Sequence, residues 1–287
     1  MSVTHERVHA HAIEPVCPCG SRRYRAVLEA RRYCVYGWNV QPMEYELLKC
    51  RRCGLVRTWP EPPHEEHHVF RDDSFLQGYL KNPELFEHYL RITVAEVARL
   101  KPPPGRFLDV GANIGTQVRL AGEAGYDAVG VELNAAACEY AAARGLDVRN
   151  AACEEAGLAE RSFDVISLSA TAEHIPDFGE ELGLYRRLLR PGGLLHVSNS
   201  PNYRSFGAHW EGELWYGIQP TGHVWQFTPR TLRAILRRHG FAPVFTRTYN
   251  LHRDFGRGRK ERARRVAFRA AQRLGFGDAL SVGAVRV

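Results

Sequence analysis

Long apolar runs are missing from this chain of 287 residues. Its apolar stretches fall far short of the roughly 20 residues that a helix needs to span a bilayer, so we expect no membrane partner. The first fifteen residues, MSVTHERVHAHAIEP, are polar and lack the apolar core of a secretory signal. We therefore expect a cytoplasmic protein. Apolar residues make up 44% of the chain and charged residues 25%, which is typical of a globular protein.

Acidic residues are fewer than basic ones, 32 against 39, which gives a formal net charge of +7. Part of the excess lies in Arg257–Arg273, a basic insert that contains a single glutamate. Such a segment can contact RNA or an anionic substrate. It can equally be the solvated face of a helix in an arginine-rich chain, and the sequence leaves both interpretations open.

The seven cysteines are an odd number, and disulfides are rare in the cytoplasm. Four of them form two tight pairs and could supply the thiolates of one tetrahedral structural zinc site: Cys17, Cys19, Cys50 and Cys53. Gly20 and Gly54 follow the pairs and suit turns that direct backbone N–H groups at sulfur. Because the first pair is one residue shorter than the usual spacing, Cys34 or a histidine could replace one ligand.

Three segments of the chain differ in pattern. Residues 1–60 hold both cysteine pairs and show little helical periodicity, so we predict a small zinc-ribbon domain there. Residues 61–104 are interpreted as a linker and a capping helix, because the Pro-rich stretch Trp59–His68 precedes apolar residues at helical spacing in 83–100. Residues 105–287 form the third segment.

Strands and helices alternate in this third segment, which predicts a parallel sheet covered by helices on both faces. The predicted strands are Arg106–Val110, Ala128–Glu132, Phe163–Ser169, Gly193–Ser198, Phe241–Thr248 and Leu280–Val287. The predicted helices include Thr116–Ala124, Ala135–Arg144, Gly179–Leu189 and Pro229–His239.

A glycine-rich turn follows the first of these strands. In the run FLDVGANIGTQ, Asp109 stands near the end of the strand, and Gly111 and Gly115 allow a tight turn into the next helix. Ligands of open parallel sheets bind at this edge. Glu132 ends the second strand, 21 residues after Gly111, where an acid can accept the hydroxyls of a ribose.

The same turn distinguishes between two nucleoside cofactors. A dinucleotide fingerprint requires Gly-x-Gly-x-x-Gly and a pyrophosphate at the helix N-terminus. Here Asn113 replaces the second glycine, and the carboxylate of Asp109 would repel a phosphate. The same carboxylate suits a cationic amino group, so electrostatics favour the methionine part of S-adenosylmethionine over NAD.

The run LDVGANIG resembles the first motif of the class I S-adenosylmethionine-dependent methyltransferases, and VGVELN resembles their second. The segment NAACEEAGLAERSFDVI is similar to their adenine-contacting region, and SATAEHIPDF and RRLLRPGGLLHVS to their fourth and fifth strands. The resemblance implies an α/β fold, a Rossmann-like sheet of seven strands, and S-adenosylmethionine as cofactor. It implies a cofactor site that comprises Asp109, Gly111, Asn113, Gly115, Glu132, Leu133, Cys153 and Glu154.

An aromatic segment near residues 201–227, here called the lid, follows the fifth strand signature. Its stretch WYGIQPTGHVWQF resembles a lid of zinc-ribbon methyltransferases that act on small molecules, including sugars. We predict acceptor contacts from Trp215, Tyr216 and Trp225, because small-ligand pockets have aromatic walls. His223 is the first candidate for a general base and His174 the second, since histidine titrates near neutral pH; each could instead serve only to fix loop structure.

Three functions remain after these observations. The first is O- or C-methylation of a small acceptor, a sugar or secondary metabolite. The second is methylation of an RNA base, which the net charge and the zinc ribbon favour, although the lid has only Arg204 to meet phosphates. The third is a non-catalytic zinc-ribbon binding module with a relict methyltransferase domain. The sequence leaves the acceptor atom and the oligomeric state open.

Overall fold

Two β-sheets organise the described part of the chain. The computed structural model describes residues 15–36, 39–60, 73–251 and 258–287, with the backbone alone at 31–36, 39–43, 73–75 and 260–261. The strands are β1 (Tyr24–Tyr36), β2 (Asn39–Cys50), β3 (Val56–Trp59), β4 (Arg106–Val110), β5 (Asp127–Glu132), β6 (Val148–Asn150), β7 (Phe163–Ser169), β8 (Leu189–Pro201), β9 (Trp225–Gln226), β10 (Phe241–Tyr249) and β11 (Ala279–Arg286). The helices are α1 (Asp73–Lys81), α2 (Pro83–Leu100), α3 (Thr116–Glu123), α4 (Ala135–Ala142), α5 (Phe178–Leu188), α6 (Phe206–Glu211), α7 (Pro229–Arg238) and α8 (Arg259–Arg273).

The larger sheet has seven strands in the order β10-β11-β8-β7-β4-β5-β6. Strands β4 to β8 pair in parallel, whereas β11 pairs antiparallel with both β8 and β10. This arrangement confirms the predicted Rossmann-like α/β sheet. The helix α8 forms the connection between β10 and β11, where the sequence places the basic insert.

Six of the seven strands were predicted. The ends of β4 and β7 match the prediction, those of β5, β10 and β11 differ by one residue, and β8 begins four residues before and ends three residues after its predicted range. The seventh, β6, spans three residues and is too short to show a periodic pattern.

The smaller sheet joins the N-terminal segment to the lid. Its order is β1-β2-β3-β9, and β3 pairs antiparallel with β9, with Val56 opposite Gln226 and Arg57 opposite Trp225. On β2 the side chains of Tyr45 and Leu47 alternate into the interior, where they pack with Trp215 of the lid. The lid is therefore built partly on the N-terminal sheet.

The cysteine-containing turns also share a core with the larger sheet. Cys17, Cys19 and Cys50 are buried in the same cluster as Phe178 of α5 and Leu232 of α7. The imidazole Nε2 of His239 lies 2.9 Å from the carbonyl oxygen of Pro18.

The helices α1 and α2 precede the larger sheet. The predicted helix over 83–100 corresponds to α2, which begins with Pro83 in its first turn. Most of the predicted linker, residues 61–72, lies outside the described residues, and α1 follows it. None of the helices in the described ranges combines the length and the apolar composition that crossing a bilayer requires.

Candidate active site at the carboxyl ends of the parallel strands

The turn after β4 depends on two glycines. Gly111 and Gly115 both have φ of +76°, a conformation that glycine adopts without strain. A Cβ on Gly111 would lie 2.7 Å from Oγ1 of Thr171, and one on Gly115 would lie 2.9 Å from the side chain of Leu146. Both glycines are therefore needed for the backbone to pass between its neighbours.

Asn113 departs from the usual glycine of this turn, and its conformation explains why it fits. Its φ is +48°, in the left-handed region that asparagine tolerates better than most residues. Its side-chain Oδ1 accepts a hydrogen bond of 2.8 Å from the N–H of Ile114. The substitution therefore preserves the turn.

The carboxylate of Glu132 is held at the end of β5 by backbone N–H groups. Oε2 accepts from Asn113 at 2.8 Å, and Oε1 accepts from Leu133 at 2.7 Å and from Asn134 at 2.9 Å. These bonds fix the carboxylate against the glycine turn. Each oxygen retains acceptor capacity that a pair of ribose hydroxyls can use.

Asp109 is fully enclosed at the end of β4. Burial, and secondly the charge of Glu132, raise the pKa of Asp109 to about 8. Tyr79 on α1 approaches the same place, since its hydroxyl interacts with Thr116 and with the charge of Asp109. Sequence reasoning missed Tyr79, because α1 follows a segment that gives no local structural signal. A cationic group bound here would restore the charged form of Asp109.

The remaining predicted cofactor residues lie on the side of β5 and β6. Leu133 exposes 41% of its surface directly beyond Glu132 and offers an apolar contact for a flat base. Cys153 is buried, and burial raises its pKa to about 12, so this thiol remains protonated and unreactive. Glu154 is exposed. Their contacts with the cofactor remain predictions.

Both candidate histidines meet in one place. The rings of His174 and His223 lie 4.7 Å apart between centroids at an interplanar angle of 60°. His174 follows β7 in a short 3-10 turn, and His223 comes from the lid. The ligand-type atoms of Glu173 and both histidines lie within 4.8 Å of one another; we call these three residues the E-H-H cluster.

His223 is almost completely buried. Its Nδ1 lies 2.8 Å from the carbonyl oxygen of Gly217, and burial lowers its pKa to about 4. The imidazole is therefore neutral at pH 7, and His223 is a weaker base than an exposed histidine. The pKa of His223 thus lies below the near-neutral value on which its selection as a general base was founded.

Sequence reasoning missed Glu173, although it lies beside His174 in the segment SATAEHIPDF. The hydroxyl of Ser200 donates to its Oε2 at 2.7 Å, and burial raises its pKa to about 7. Its backbone carbonyl accepts from the N–H of Val224 at 2.8 Å. Nothing in the local sequence separates this buried carboxylate from a solvated one.

The lid aromatics that we predicted as acceptor contacts differ in exposure. Trp215 is wholly buried among Tyr45 and Leu47. Trp225 is buried too, and its indole N–H donates to the carbonyl of Ile175 at 2.7 Å. Tyr216 is half-buried, and its hydroxyl donates to the carbonyl of Asp278 at 3.0 Å.

The four paired cysteines converge on one point. The Sγ atoms of Cys17 and Cys53 are 3.5 Å apart, those of Cys19 and Cys50 are 3.7 Å apart, and all four lie within 4.8 Å. A disulfide would require about 2.0 Å, whereas tetrahedral zinc with bonds of about 2.3 Å separates its sulfurs by about 3.8 Å. The residues present therefore fit zinc.

The turns around the cysteines have the form that we expected. Gly20 and Gly54 have φ of +78° and +80°, and the backbone N–H groups of Cys19, Ser21 and Leu55 hydrogen-bond to cysteine sulfurs. The alternative ligand Cys34 lies on β1 ten residues beyond Tyr24, which pairs with Cys50. Ten residues of a strand span about 33 Å, so the backbone of Cys34 is far from the cluster of the four paired cysteines. The histidines of residues 1–14 lie outside the described residues.

The basic insert forms α8, and residues 252–257 before it lie outside the described ranges. Phe268 is its buried anchor and packs edge-on against Phe206 of α6, with ring centroids 5.2 Å apart. The arginines with described side chains on this helix are exposed: Arg259, Arg262, Arg264, Arg265, Arg269 and Arg273. Contact with RNA or another anion remains a prediction.

A family model for a methyltransferase domain matches residues 84–245, which include the cofactor turn, the E-H-H cluster and most of the larger sheet. The match covers more than half of the chain.

Similar proteins include a ubiquinone biosynthesis O-methyltransferase from Cereibacter sphaeroides, 33% identical over 150 residues, which are 48% of this chain and 61% of that protein. A protein of the same description from a Bradyrhizobium species is 35% identical over 35% of this chain and 42% of its own length. The chain thus spans between two fifths and three fifths of these curated relatives.

Among solved structures, the fold is similar to that of the Burkholderia thailandensis 1,6-didemethyltoxoflavin-N1-methyltransferase with bound 1,6-didemethyltoxoflavin and S-adenosylhomocysteine. The TM-score is 0.55 at 20% identity, covering 85% of this chain and 96% of that one. At this identity the likeness concerns the fold alone.

Proposed function

This chain belongs to the methyltransferase domain family of class I S-adenosylmethionine-dependent enzymes, and from that premise we propose that it methylates an oxygen or carbon atom of a small molecule, such as a sugar or a secondary metabolite. The observation that carries the proposal is the arrangement of the E-H-H cluster beside the cofactor turn. Thr171 packs against Gly111, and Glu173 and His174 follow two and three residues later.

In-line methyl transfer requires the acceptor to lie beyond the sulfonium, and the enzyme mainly aligns the two reactants. We assign Asp109 to the amino group of the cofactor and Glu132 to its ribose. Both carboxylates are present, and the turn between them is intact. Burying the charge of the Asp109 carboxylate is unfavourable, and in a non-catalytic domain no bound cofactor would offset this cost. The non-catalytic alternative is therefore disfavoured.

The acceptor then lies at the E-H-H cluster, beneath the lid. An oxygen or carbon acceptor must lose a proton, and this cluster gathers three groups that can accept one. Polar side chains border the same strand ends: the amide Nδ2 of Asn199 donates to Oγ of Ser169 at 2.7 Å, and Tyr249 donates to Oδ1 of Asn199 at 2.6 Å. Such groups suit a small polar acceptor.

Among the lid aromatics we now favour Tyr216 for contact with the acceptor, because it is only half-buried. Trp215 and Trp225 would shape the pocket from behind, since both indoles are enclosed by protein. We further propose that Cys17, Cys19, Cys50 and Cys53 bind one structural zinc ion.

Methyl transfer from cofactor labelled in its methyl group tests the proposal. We expect label in low-mass products when hydroxylated small molecules are screened, and His223→Ala should lower kcat by about 10²–10⁴-fold, the scale for losing proton-transfer catalysis. Cofactor affinity should change little. The exposed His88 provides the control variant His88→Ala.

An RNA base remains the second candidate because of the exposed arginines of α8. Label that appears only in added RNA fragments, and is lost when Arg262 and Arg269 are changed to glutamate, would overturn the small-molecule proposal. Phosphate contacts would also make binding fall steeply with salt.

A further inference from the structure

We propose that Glu173, His174 and His223 form a second metal site, separate from the four cysteines, which binds a divalent transition-metal ion such as Zn²⁺. The side chains of these three residues converge within 4.8 Å from two segments that are far apart in sequence. Two imidazoles and a carboxylate form one of the donor sets of open zinc sites, which keep a fourth position for water or substrate.

The imidazole orientations support this assignment. Nδ1 of His174 lies 3.0 Å from the carbonyl oxygen of Gly222, and Nδ1 of His223 lies 2.8 Å from that of Gly217. A carbonyl oxygen only accepts, so each ring carries a proton on Nδ1, and Nε2 is the nitrogen that can coordinate a metal ion. Metal-binding histidines characteristically hold their second nitrogen in this way.

The carboxylate supplies the negative charge that such a site needs. Glu173 is 1% exposed, and the hydroxyl of Ser200 donates to its Oε2. None of the ion pairs among the described residues includes Glu173. A buried carboxylate without a cation is unfavourable, and a divalent ion between it and two neutral imidazoles would balance the charge.

The backbone keeps the two segments together. The N–H of Val224 donates to the carbonyl of Glu173 at 2.8 Å, so His223 cannot move away from Glu173 without breaking this bond. Metal–ligand bonds of about 2.0–2.1 Å would bring the donor atoms to about 3.3 Å apart. The half-buried side chain of His174 has room for that adjustment.

A cation here would act on the proposed reaction. It would lie beside the cofactor turn and lower the pKa of an acceptor hydroxyl bound in its open position. With the ion bound, this effect would replace direct proton acceptance by the three side chains, whose lone pairs then coordinate the metal. This consequence rests on the proposed function, whereas the metal site itself does not.

The test is metal stoichiometry and affinity in the full-length protein. With the cysteine site filled, we expect a second equivalent of Zn²⁺ to bind in calorimetry. Co²⁺ at this site should give d–d absorption without the intense thiolate charge-transfer band of the cysteine site.

The affinity for the second equivalent of Zn²⁺ should fall at least tenfold in each of three variants: Glu173→Gln, His174→Ala and His223→Ala. The control variant His88→Ala should leave this affinity unchanged. Because His223 is buried, Glu173→Gln is the decisive variant: it preserves the side-chain shape, and circular dichroism checks its fold. Absence of a second equivalent in the wild-type protein, or unchanged affinity in folded Glu173→Gln, overturns the proposal. Neither result depends on an acceptor, so failure of the metal site is distinguishable from failure of the proposed function.

Discussion

Thr58 donates a hydrogen bond of 2.7 Å from its hydroxyl to the backbone carbonyl of His223. Its N–H also donates to the carbonyl of Val224 at 2.9 Å, and Val224 in turn donates to Glu173. The strand that directly follows the second cysteine pair thus holds the lid histidine against the loop after β7. The N-terminal sheet is part of the structure that positions the E-H-H cluster.

Removing the Thr58 hydroxyl should therefore disturb catalysis through His223. Thr58→Val leaves a buried carbonyl without one partner, which costs about 1–3 kcal/mol. We expect the free energy of unfolding to fall by that amount and kcat to fall several-fold, while KM for the cofactor stays near its wild-type value. Thr58→Ser keeps the hydroxyl and should restore kcat. Equal kcat in the valine and serine variants would contradict the positioning role.

The cofactor turn gives a second prediction. Glu132→Ala removes the acceptor of three backbone N–H bonds together with the proposed ribose partner. Because a hydrogen bond to a charged group is worth about 1.5–3 kcal/mol, we expect S-adenosylmethionine to bind at least about tenfold more weakly in calorimetry. Glu139→Ala, an exposed acid on α4, is the matched control and should bind normally. Unchanged affinity in Glu132→Ala would rule out the ribose assignment.

Asp109 predicts a pH dependence of cofactor binding. Its pKa of about 8 in the free protein means that it is mostly protonated at pH 6, whereas pairing with a cationic amino group requires the carboxylate. Binding must then release a proton below pH 8. Affinity should rise as pH increases from 6 towards 8, by up to about tenfold per unit.

Calorimetry at several pH values, in buffers of different ionisation enthalpy, measures this proton release. Asp109→Asn should bind more weakly and lose the dependence. The same raised pKa acts on stability: the folded state holds the proton more tightly than the unfolded state, so Asp109 lowers the free energy of unfolding as pH rises from about 4 to 8. If cofactor affinity or the free energy of unfolding keeps the same pH dependence in Asp109→Asn, a group other than Asp109 is responsible for it.

The parts of the fold that the sequence predicts are those with local signals. Period and glycine spacing identify β4, the turn and β5, and the acid at Glu132 follows from its distance to Gly111. The hairpin β1–β2 was missed because the alternation of apolar and polar residues is confined to a short run around Tyr45 and Leu47 and does not extend along either strand. The pairing of β3 with β9 is non-local, and no pattern in either short strand indicates it.

The candidate site shows the same limit. His174 and His223 were selected separately from their motifs, but only the fold shows that their rings are 4.7 Å apart. Burial determines the titration of the site: it lowers the pKa of His223 and raises the pKa values of Glu173 and Asp109. Two of the predicted acceptor contacts, Trp215 and Trp225, are also buried. A single sequence contains no direct measure of burial, so these properties could not be predicted.

The cysteine site provides the last prediction. Purified protein should contain zinc bound by Cys17, Cys19, Cys50 and Cys53, and Cys50→Ser should weaken it, because a hydroxyl is a poor zinc ligand compared with a thiolate. Zinc at such sites supplies folding free energy, and here Cys50 lies in one core with Phe178 and Trp225.

Loss of this zinc should therefore lower the Tm of the whole chain and abolish methyl transfer, and its effects should not be confined to the N-terminal segment. Elemental analysis, thermal unfolding and activity after treatment with a chelator measure these effects, with Cys138→Ser, a buried cysteine on α4 outside the cluster, as the control. If the chelator removed the thiolate-bound zinc while Tm and activity stayed at their original values, the coupling through β3 and β9 would be wrong. A fall in Tm and activity that zinc restores in the wild-type protein but not in Cys50→Ser would support it, because that variant lacks one cysteine ligand and keeps the whole E-H-H cluster.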